Sequence, residues 1–413
     1  MLKLHTTKVL RVFQQCLTSE CAVHPSSSNE NLKPLETLPY VDYIKKKYPD
    51  KLENMNVQVE NLNSERKECK KNTKVLNFFR DLNSFILNKH SVELLPVGSM
   101  VTKFVNKQSD FDFVFFPKRD DQRHRFLRDF HQNPSFKQNF MSVFAKLIAR
   151  ESEKLGEPVE KVVELPRMRV PLLIIRYASG LSIDIQFPEE NYHALRNTHL
   201  MRMYKVCDNR FTLLFLWLRA VCDKLEVRNS KYGLLSSYHL LLLCVHFLQS
   251  EQALSPWPVL PVLAKTHSSL VTADIPISKV AELIKSDDPC LDVFSWKSHN
   301  KMAISELIIR FIDYYSHFNA SKEAIYIEKG LAQKRKQVFG DVRLQIIDPY
   351  SPVSVCRSPH ASAAFFTAIQ FMRKQFKNGQ MIASLPDVPE AAQFLRENHF
   401  SFWRTQMSDK IIV

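Results

Sequence analysis

Ser109–Phe115, with the sequence SDFDFVF, and Ser182–Phe187, with the sequence SIDIQF, are the two stretches that decide the fold. In both, apolar side chains alternate with polar or acidic ones, and this period of two is typical of a half-buried strand. Two aspartates at i and i+2 of a strand lie on one face, about 6–7 Å apart along the chain. The alternation therefore predicts two strands whose aspartates point away from the apolar face.

Asp110, Asp112 and Asp184 are the candidate catalytic and metal-binding residues. Three carboxylates on neighbouring strands form a cage of hard oxygen ligands, the donors that Mg²⁺ prefers. Two Mg²⁺ or Mn²⁺ ions about 3.5–4 Å apart clamp the attacking and leaving oxygens of a phosphoryl displacement. The pattern predicts metal-dependent nucleotidyl transfer, although a lone Asp-x-Asp pair is more often a turn or surface feature.

A glycine and a serine precede the first aspartates. Gly98 allows the backbone to approach a ligand closely. The Ser99 hydroxyl and the local N–H groups offer hydrogen bonds to a terminal phosphate. The alternative interpretation of this dipeptide is a plain turn.

Further sequence blocks follow in a fixed order. They are RNT at 196–198, GLLSSY at 233–238, PVLPVL at 258–263, SEL at 305–307, FIDYYS at 311–316 and IDPY at 347–350. With these blocks the chain resembles the DNA polymerase β-like nucleotidyltransferase superfamily, within its cytoplasmic poly(A) polymerase and terminal uridylyltransferase family. The resemblance covers roughly residues 74–376; each block is weak alone, and their order is specific for the family.

The resemblance implies a set of nucleotide-binding residues. Asn197 matches a family asparagine that contacts the ribose and base, and its alternative role is that of a helix cap. Ser237 and Tyr238 match a pair that touches phosphate and stacks on the base. The alternative for Tyr238 is burial under a helix.

The chain departs from the family pattern at two places. The family has two lysines, four residues apart, that grip the triphosphate; here the first position is Arg219 and the second falls near Asp223 or Lys224. Arg219 and Asp223 are alternatively an i,i+4 ion pair. The loop after the serine usually carries a glycine where this chain has Lys103, which either contacts phosphate or faces solvent. Neither change removes a metal ligand, so activity is expected.

Base preference depends on the block that begins at Asp348. This residue is either a base-contacting acid or a turn-starting aspartate before proline. Family members that favour UTP often carry a histidine shortly after this block, whereas residues 351–357 contain none and His360 lies too far along. We therefore predict a poly(A) polymerase that uses ATP. A uridylyltransferase or mixed-nucleotide polymerase is the first alternative, and a catalytically weak RNA-bound scaffold is the second.

The predicted fold class is α+β, with a small mixed-sheet nucleotidyltransferase lobe and a mostly helical lobe, and the resemblance implies that the active site lies in the cleft between them. Local patterns predict a strand over Val92–Val97, one long helix over Arg125–Leu155, and a hairpin that turns at residues 178–180. The predicted domains are 1–36, a disordered basic tail or a targeting segment; 37–73, N-terminal helices that join the helical lobe; 74–188, the catalytic domain; 189–376, the helical central domain with a PAP-associated segment at about 300–357; and 377–413, a C-terminal extension.

Composition indicates the partners. The net charge of +14 favours a polyanion, here an RNA 3′ end. No RNA-recognition motif, KH motif or zinc finger is visible, so an RNA-binding adaptor protein is expected. The eight cysteines form no Cys-x-x-Cys pair and indicate reduced thiols of an intracellular protein. The longest apolar run, Leu240–Leu248, is too short to span a bilayer, so no membrane contact is expected. Cytoplasmic localisation is predicted, with a nuclear or perinuclear site as the alternative and a mitochondrial one disfavoured.

Overall fold

The computed structural model describes residues 37–68, 73–105, 111–189, 191–286, 296–335 and 343–380, together with 382 and 394. The N-terminal segment 1–36, most of 377–413 and Asp110 therefore lie outside the described residues. In the described part of the chain, no helix is both long and apolar enough to cross a membrane.

In the first half of the chain the described strands and helices are interspersed, whereas helices dominate the second half. The helices are α1 (Tyr40–Lys47), α2 (Pro49–Glu68), α3 (Thr73–His90), α4 (Ser99–Thr102), α5 (Asp120–Gln132), α6 (Pro134–Lys154), α7 (His193–Cys207), α8 (Asn209–Lys224), α9 (Ser237–Gln249), α10 (Glu251–Leu254), α11 (Leu263–Thr266), α12 (Ser268–Val271), α13 (Ile277–Lys285), α14 (Ile304–His317) and α15 (Pro359–Lys377). The strands are β1 (Val92–Pro96), β2 (Phe111–Pro117), β3 (Val159–Leu165), β4 (Leu172–Tyr177), β5 (Ser182–Gln186), β6 (Glu323–Tyr326), β7 (Leu331–Lys334) and β8 (Gln345–Ile347).

The larger sheet is mixed and has the strand order β1-β2-β5-β4-β3. Its central pair, β2 and β5, is parallel, and its other pairs are antiparallel. The predicted alternation is confirmed, because Phe111, Phe113 and Phe115 of β2 and the isoleucines of β5 face one apolar core. This core is closed by phenylalanines of α3, α5 and α6. The predicted mixed-sheet lobe is therefore present.

A second, larger core holds the helical lobe together. Helices α8 and α9 are buried on nearly all sides, which is typical of central helices. Helices α1 and α2, which precede the sheet in sequence, pack against this lobe through α8 and α14. Cys222 of α8 and Cys244 of α9 are fully buried there.

Three local features differ from the sequence prediction. The long helix predicted over Arg125–Leu155 is two helices, because Pro134 has no N–H to continue α5 and instead occupies the first turn of α6. The Asn133 side chain caps α6 by accepting a 3.0 Å hydrogen bond from the Phe136 N–H. Strand β3 was not predicted, because as an edge strand it shows no clear burial alternation. A small sheet of order β7-β6-β8 lies within the region predicted as mostly helical, where it packs into the helical core.

Candidate active site

The structure describes two of the three candidate aspartates, and these two lie side by side on strands β2 and β5. Asp112 of β2 and Asp184 of β5 are direct partners in the parallel register. Neighbouring strands are about 4.8 Å apart, and paired residues of parallel strands point to the same face. Both aspartates are half-buried and lie opposite the phenylalanine core. Fold topology thus brings together carboxylates that are about seventy residues apart in sequence.

Gly98 holds the backbone against the first of these carboxylates. Its φ is +60°, and a Cβ at this position would lie 3.3 Å from Asp112 Oδ2. Its N–H donates a 2.9 Å hydrogen bond to Thr198 Oγ1 of α7, which in turn donates to Ala194 O. The sequence predicted glycine for a close approach to a ligand, and the structure shows a close approach to Asp112. Gly98 also connects the sheet to the helical lobe.

A cleft of about 530 Å³ opens above this point between the sheet and the helical lobe. Residues from both lobes line it, as the sequence predicted. Seven of the predicted site residues are among them: Gly98, Ser99, Asp112, Asn197, Arg219, Ser237 and Tyr238. Asp184, Lys224 and Asp348 are not among the lining residues, and Asp110 lies outside the described residues.

Asn197 presents a polar atom to the cleft. It is the fifth residue of α7, so the alternative role as a helix cap does not hold. Its Oδ1 is buried and accepts no hydrogen bond from the part of the chain that the structure describes. A buried amide oxygen without a donor is costly. A ligand hydroxyl or amine in the cleft would supply the missing donor.

Tyr238, which is half-buried, and Asp348, which is buried, form a polar pair at the edge of the cleft. The Tyr238 hydroxyl donates a 3.3 Å hydrogen bond to Asp348 Oδ2, while Asp348 Oδ1 accepts from the Tyr350 N–H at 2.9 Å. Burial raises the pKa of Asp348, with these hydrogen bonds acting against the shift, and burial raises that of Tyr238 well above its usual range. Asp348 therefore both starts a turn and holds the tyrosine ring at the cleft.

A histidine from another element contacts the loop that begins at Asp348. His193 Nε2 lies 3.0 Å from Tyr350 O, and its Nδ1 lies 2.7 Å from Glu189 Oε1. His193 is the first residue of α7, more than 150 residues upstream of the loop. Its imidazole holds the loop backbone and does not line the cleft.

The cations of the site differ from those expected. Arg219 lines the cleft and donates to Phe104 O at 2.8 Å. Asp223 pairs not with Arg219 but with Arg228, whose Nε lies 2.5 Å from Asp223 Oδ1. The Nη1 of Arg228 donates to Ser237 Oγ at 3.1 Å, so Arg228 also lines the cleft. Sequence reasoning missed Arg228, because it follows α8 in an irregular segment with no helical spacing to the other cations. Lys224 is exposed at the end of α8.

The donor set at the sheet fits a hard divalent cation. Asp112 and Asp184 supply adjacent carboxylate oxygens on one face, which suits Mg²⁺ or Mn²⁺. The described residues contain no group of three or more His, Cys, Asp or Glu side chains that could hold a metal alone. Two carboxylates completed by substrate phosphates are a normal coordination set for Mg²⁺.

A mixed sheet with paired aspartates, facing a helical lobe across a cleft, agrees with the nucleotidyltransferase fold predicted from the sequence. Residues 52–206 match the model of the central palm domain of mitochondrial-like poly(A) RNA polymerase. Poly(A) RNA polymerase GLD2 of Rattus norvegicus is 23% identical over 276 residues, which are 66% of this chain and 53% of that protein. The human GLD2 is 24% identical over the same share of each chain. The chain thus spans about half the length of these curated relatives.

Solved structures share the fold. A crystal structure of mtPAP in apo form matches with a TM-score of 0.59 and 17% identity, covering 92% of this chain and 80% of that one. A GLD-2/RNP-8 complex matches with a TM-score of 0.56 and 21% identity, covering 86% and 98%. In sequence and fold the chain is therefore similar to poly(A) RNA polymerases. This confirms the resemblance stated from the sequence blocks.

Proposed function

We propose that this protein adds ribonucleotides to an RNA 3′-hydroxyl without a template, using ATP as the preferred donor. The observation that carries the proposal is the direct register of Asp112 with Asp184 beside a cleft. The similarity to poly(A) RNA polymerases and the net charge of +14, which suits a polyanionic acceptor, support it.

The bond changes of the proposed reaction are those of nucleotidyl transfer. The 3′-oxygen of the RNA forms a bond to the α-phosphorus of the nucleotide, and the bond from that phosphorus to pyrophosphate breaks. We assign Asp184 to accept the proton of the 3′-hydroxyl. Asp110, Asp112 and Asp184 would hold two Mg²⁺ or Mn²⁺ ions, which neutralise charge on the attacking and leaving oxygens when bound.

The remaining residues of the site would bind and orient the nucleotide. The Asn197 amide would accept from a ribose hydroxyl, which would favour ribonucleotides. The Tyr238 ring would stack on the base, an interaction that tolerates any base. Arg219 and Arg228 would face the triphosphate from one wall of the cleft. Ser99 and Ser237 would donate hydroxyl hydrogen bonds to it.

Base choice and an adaptor complete the proposal. The residues described in the cleft include no histidine, which favours ATP over UTP in this account. The GLD-2 neighbour was solved as a complex with RNP-8, and we extend the idea of a protein partner to this chain. Such a partner would direct the enzyme to its RNA.

Primer extension tests the proposal. A labelled RNA primer is incubated with the protein, Mg²⁺ and each of the four ribonucleotides, separately and mixed. We expect long products with ATP and short or no products with the others. Extension with UTP alone would keep the chemistry and overturn the base assignment. RNA binding without any extension would favour the scaffold alternative.

A further inference from the structure

The backbone just after α4 is held in an unusual conformation. Lys103, the residue that ends this helix, has a φ of +60° and a ψ of 23°, and its side chain is exposed. This left-handed region is disfavoured for any residue with a Cβ and is normally occupied by glycine. Contacts from surrounding residues must therefore stabilise this backbone conformation of Lys103.

Three cationic side chains donate to three consecutive carbonyls around this residue. Lys205 Nζ donates to Thr102 O at 2.7 Å, and Arg66 Nη1 donates to Lys103 O at 2.7 Å. Arg219 Nη1 donates to Phe104 O at 2.8 Å. The donors come from α7, α2 and α8. Carbonyls at the end of a helix lack intrahelical partners, and cationic donors are suited to them.

The donors are themselves fixed. Arg66 donates through Nε and Nη2 to Oδ1 of Asn63, which is 1% exposed. The Lys205 ammonium lies 5.4 Å from the centre of the Phe104 ring. Burial, together with the nearby positive charges of Arg66, Lys103 and Arg202, lowers the pKa of Lys205 to about 8.

Two of these cations, Arg66 and Lys205, lie among other positive charges. Neither Arg66 nor Lys205 takes part in the ion pairs of the described residues. Repulsion among these like charges is unfavourable, but each cation is stabilised by the carbonyl oxygen to which it donates a hydrogen bond. The arrangement therefore serves the backbone that it holds rather than an ion-pair network.

That backbone forms one wall of the cleft. Thr102 and Phe104 line the cleft, and Thr102 bonds back to Gly98 O through both its N–H, at 3.1 Å, and its hydroxyl, at 2.9 Å. Fixing residues 102–104 thus fixes the Gly98-Ser99 turn beside Asp112. The same segment leads towards the aspartate strand.

We propose that Arg66, Lys205 and Arg219 form a carbonyl clamp that positions residues 98–104 for nucleotide binding. These hydrogen bonds stabilise, at Lys103, a left-handed backbone conformation that glycine would adopt without strain. Arg66 and Lys205 are positioning residues, since they act through the backbone that they hold. The inference rests on the proposed function for its kinetic readout, whereas its stability readout is independent of activity.

A double-mutant cycle between Lys205→Met and Lys103→Gly tests the clamp. With lysine at 103, we expect Lys205→Met to raise the nucleotide KM about tenfold, as for loss of one charged hydrogen bond. With glycine at 103 the rise should be less than about threefold, because the backbone no longer needs to be held. The urea midpoint should show the same coupling. Lys205→Arg should restore most of the KM.

The control is Lys265→Met, which removes another lysine that donates to a carbonyl, that of Lys329, outside the cleft. It should leave KM within about twofold. Additive effects of Lys205→Met and Lys103→Gly on both readouts would overturn the clamp. If Lys205→Met does not fold, Arg66→Gln replaces it in the same cycle. If the wild type extends no RNA, the proposed function fails, and the urea midpoints of the four proteins still decide the clamp.

Discussion

Replacement of Gly98 by alanine separates backbone strain from displacement of the Asp112 carboxylate. The φ of +60° and ψ of −131° at Gly98 lie in a region that costs a residue with a side chain about 1–3 kcal/mol. The added Cβ would also lie 3.3 Å from Asp112 Oδ2, so the carboxylate must move by a few tenths of an ångström. A displacement of roughly 1 Å costs about 100-fold in rate, so a shift of a few tenths of an ångström should cost up to about tenfold.

The matched control is Gly180→Ala in the turn between β4 and β5. Gly180 has a φ of +84°, and a Cβ there meets nothing within 4 Å. Both variants should lose about 1–3 kcal/mol of unfolding free energy in urea. Only Gly98→Ala should also lose primer-extension rate at saturating nucleotide, measured below the unfolding transition. Equal activity of the two variants at equal stability would refute the role given to Gly98.

Three further predictions concern the cleft and the loop beside it. Arg228→Met should raise the nucleotide KM about tenfold, since a cation facing the triphosphate is lost, while Arg228→Lys should recover part of it; an unchanged KM would remove Arg228 from the site. Tyr238→Ala should weaken nucleotide binding by about 1–3 kcal/mol in a titration, whereas Tyr238→Phe keeps the ring and loses only the bond to Asp348; equal losses would argue against stacking. The hydrogen bond with Glu189 raises the pKa of His193; burial alone would raise that of Glu189, but its bond to His193 lowers it overall. The pair therefore stabilises the fold above the lowered pKa of Glu189, and this stability is lost as pH rises through the raised pKa of His193. Urea midpoints should show the wild type about 1 kcal/mol more stable than His193→Gln near pH 6 and equal to it by pH 9; a constant difference would contradict the linkage.

Local periodicity was enough to predict the sheet lobe. The alternating phenylalanines and isoleucines identified the strands that carry Asp112 and Asp184, because one face of each strand is buried and the other is not. Periodicity failed where a residue interrupts it or where burial is uneven. Pro134 divides a continuous apolar pattern into two helices, and edge strand β3 has no consistently buried face.

The site was predictable only where residues are close in sequence to a recognisable block. Gly98, Asn197 and Tyr238 lie in such blocks, and the cleft brings them together. Arg228 reaches the cleft, and His193 reaches the loop beside it, by tertiary packing, so no spacing in the sequence marks them. The sequence likewise did not show how a lysine can occupy position 103, because the three side chains that donate hydrogen bonds to this segment come from separate helices.

The most direct test of the central claim is RNA extension by Asp112→Asn and Asp184→Asn proteins beside the wild type. Each variant keeps the size of its side chain and removes the negative charge that a metal and a proton require. We predict long ATP-dependent products from the wild type and from an Asp81→Asn control, which changes an exposed aspartate on α3. We predict no extension by the two site variants, with RNA affinity retained. Extension by either site variant at the wild-type rate would contradict this prediction.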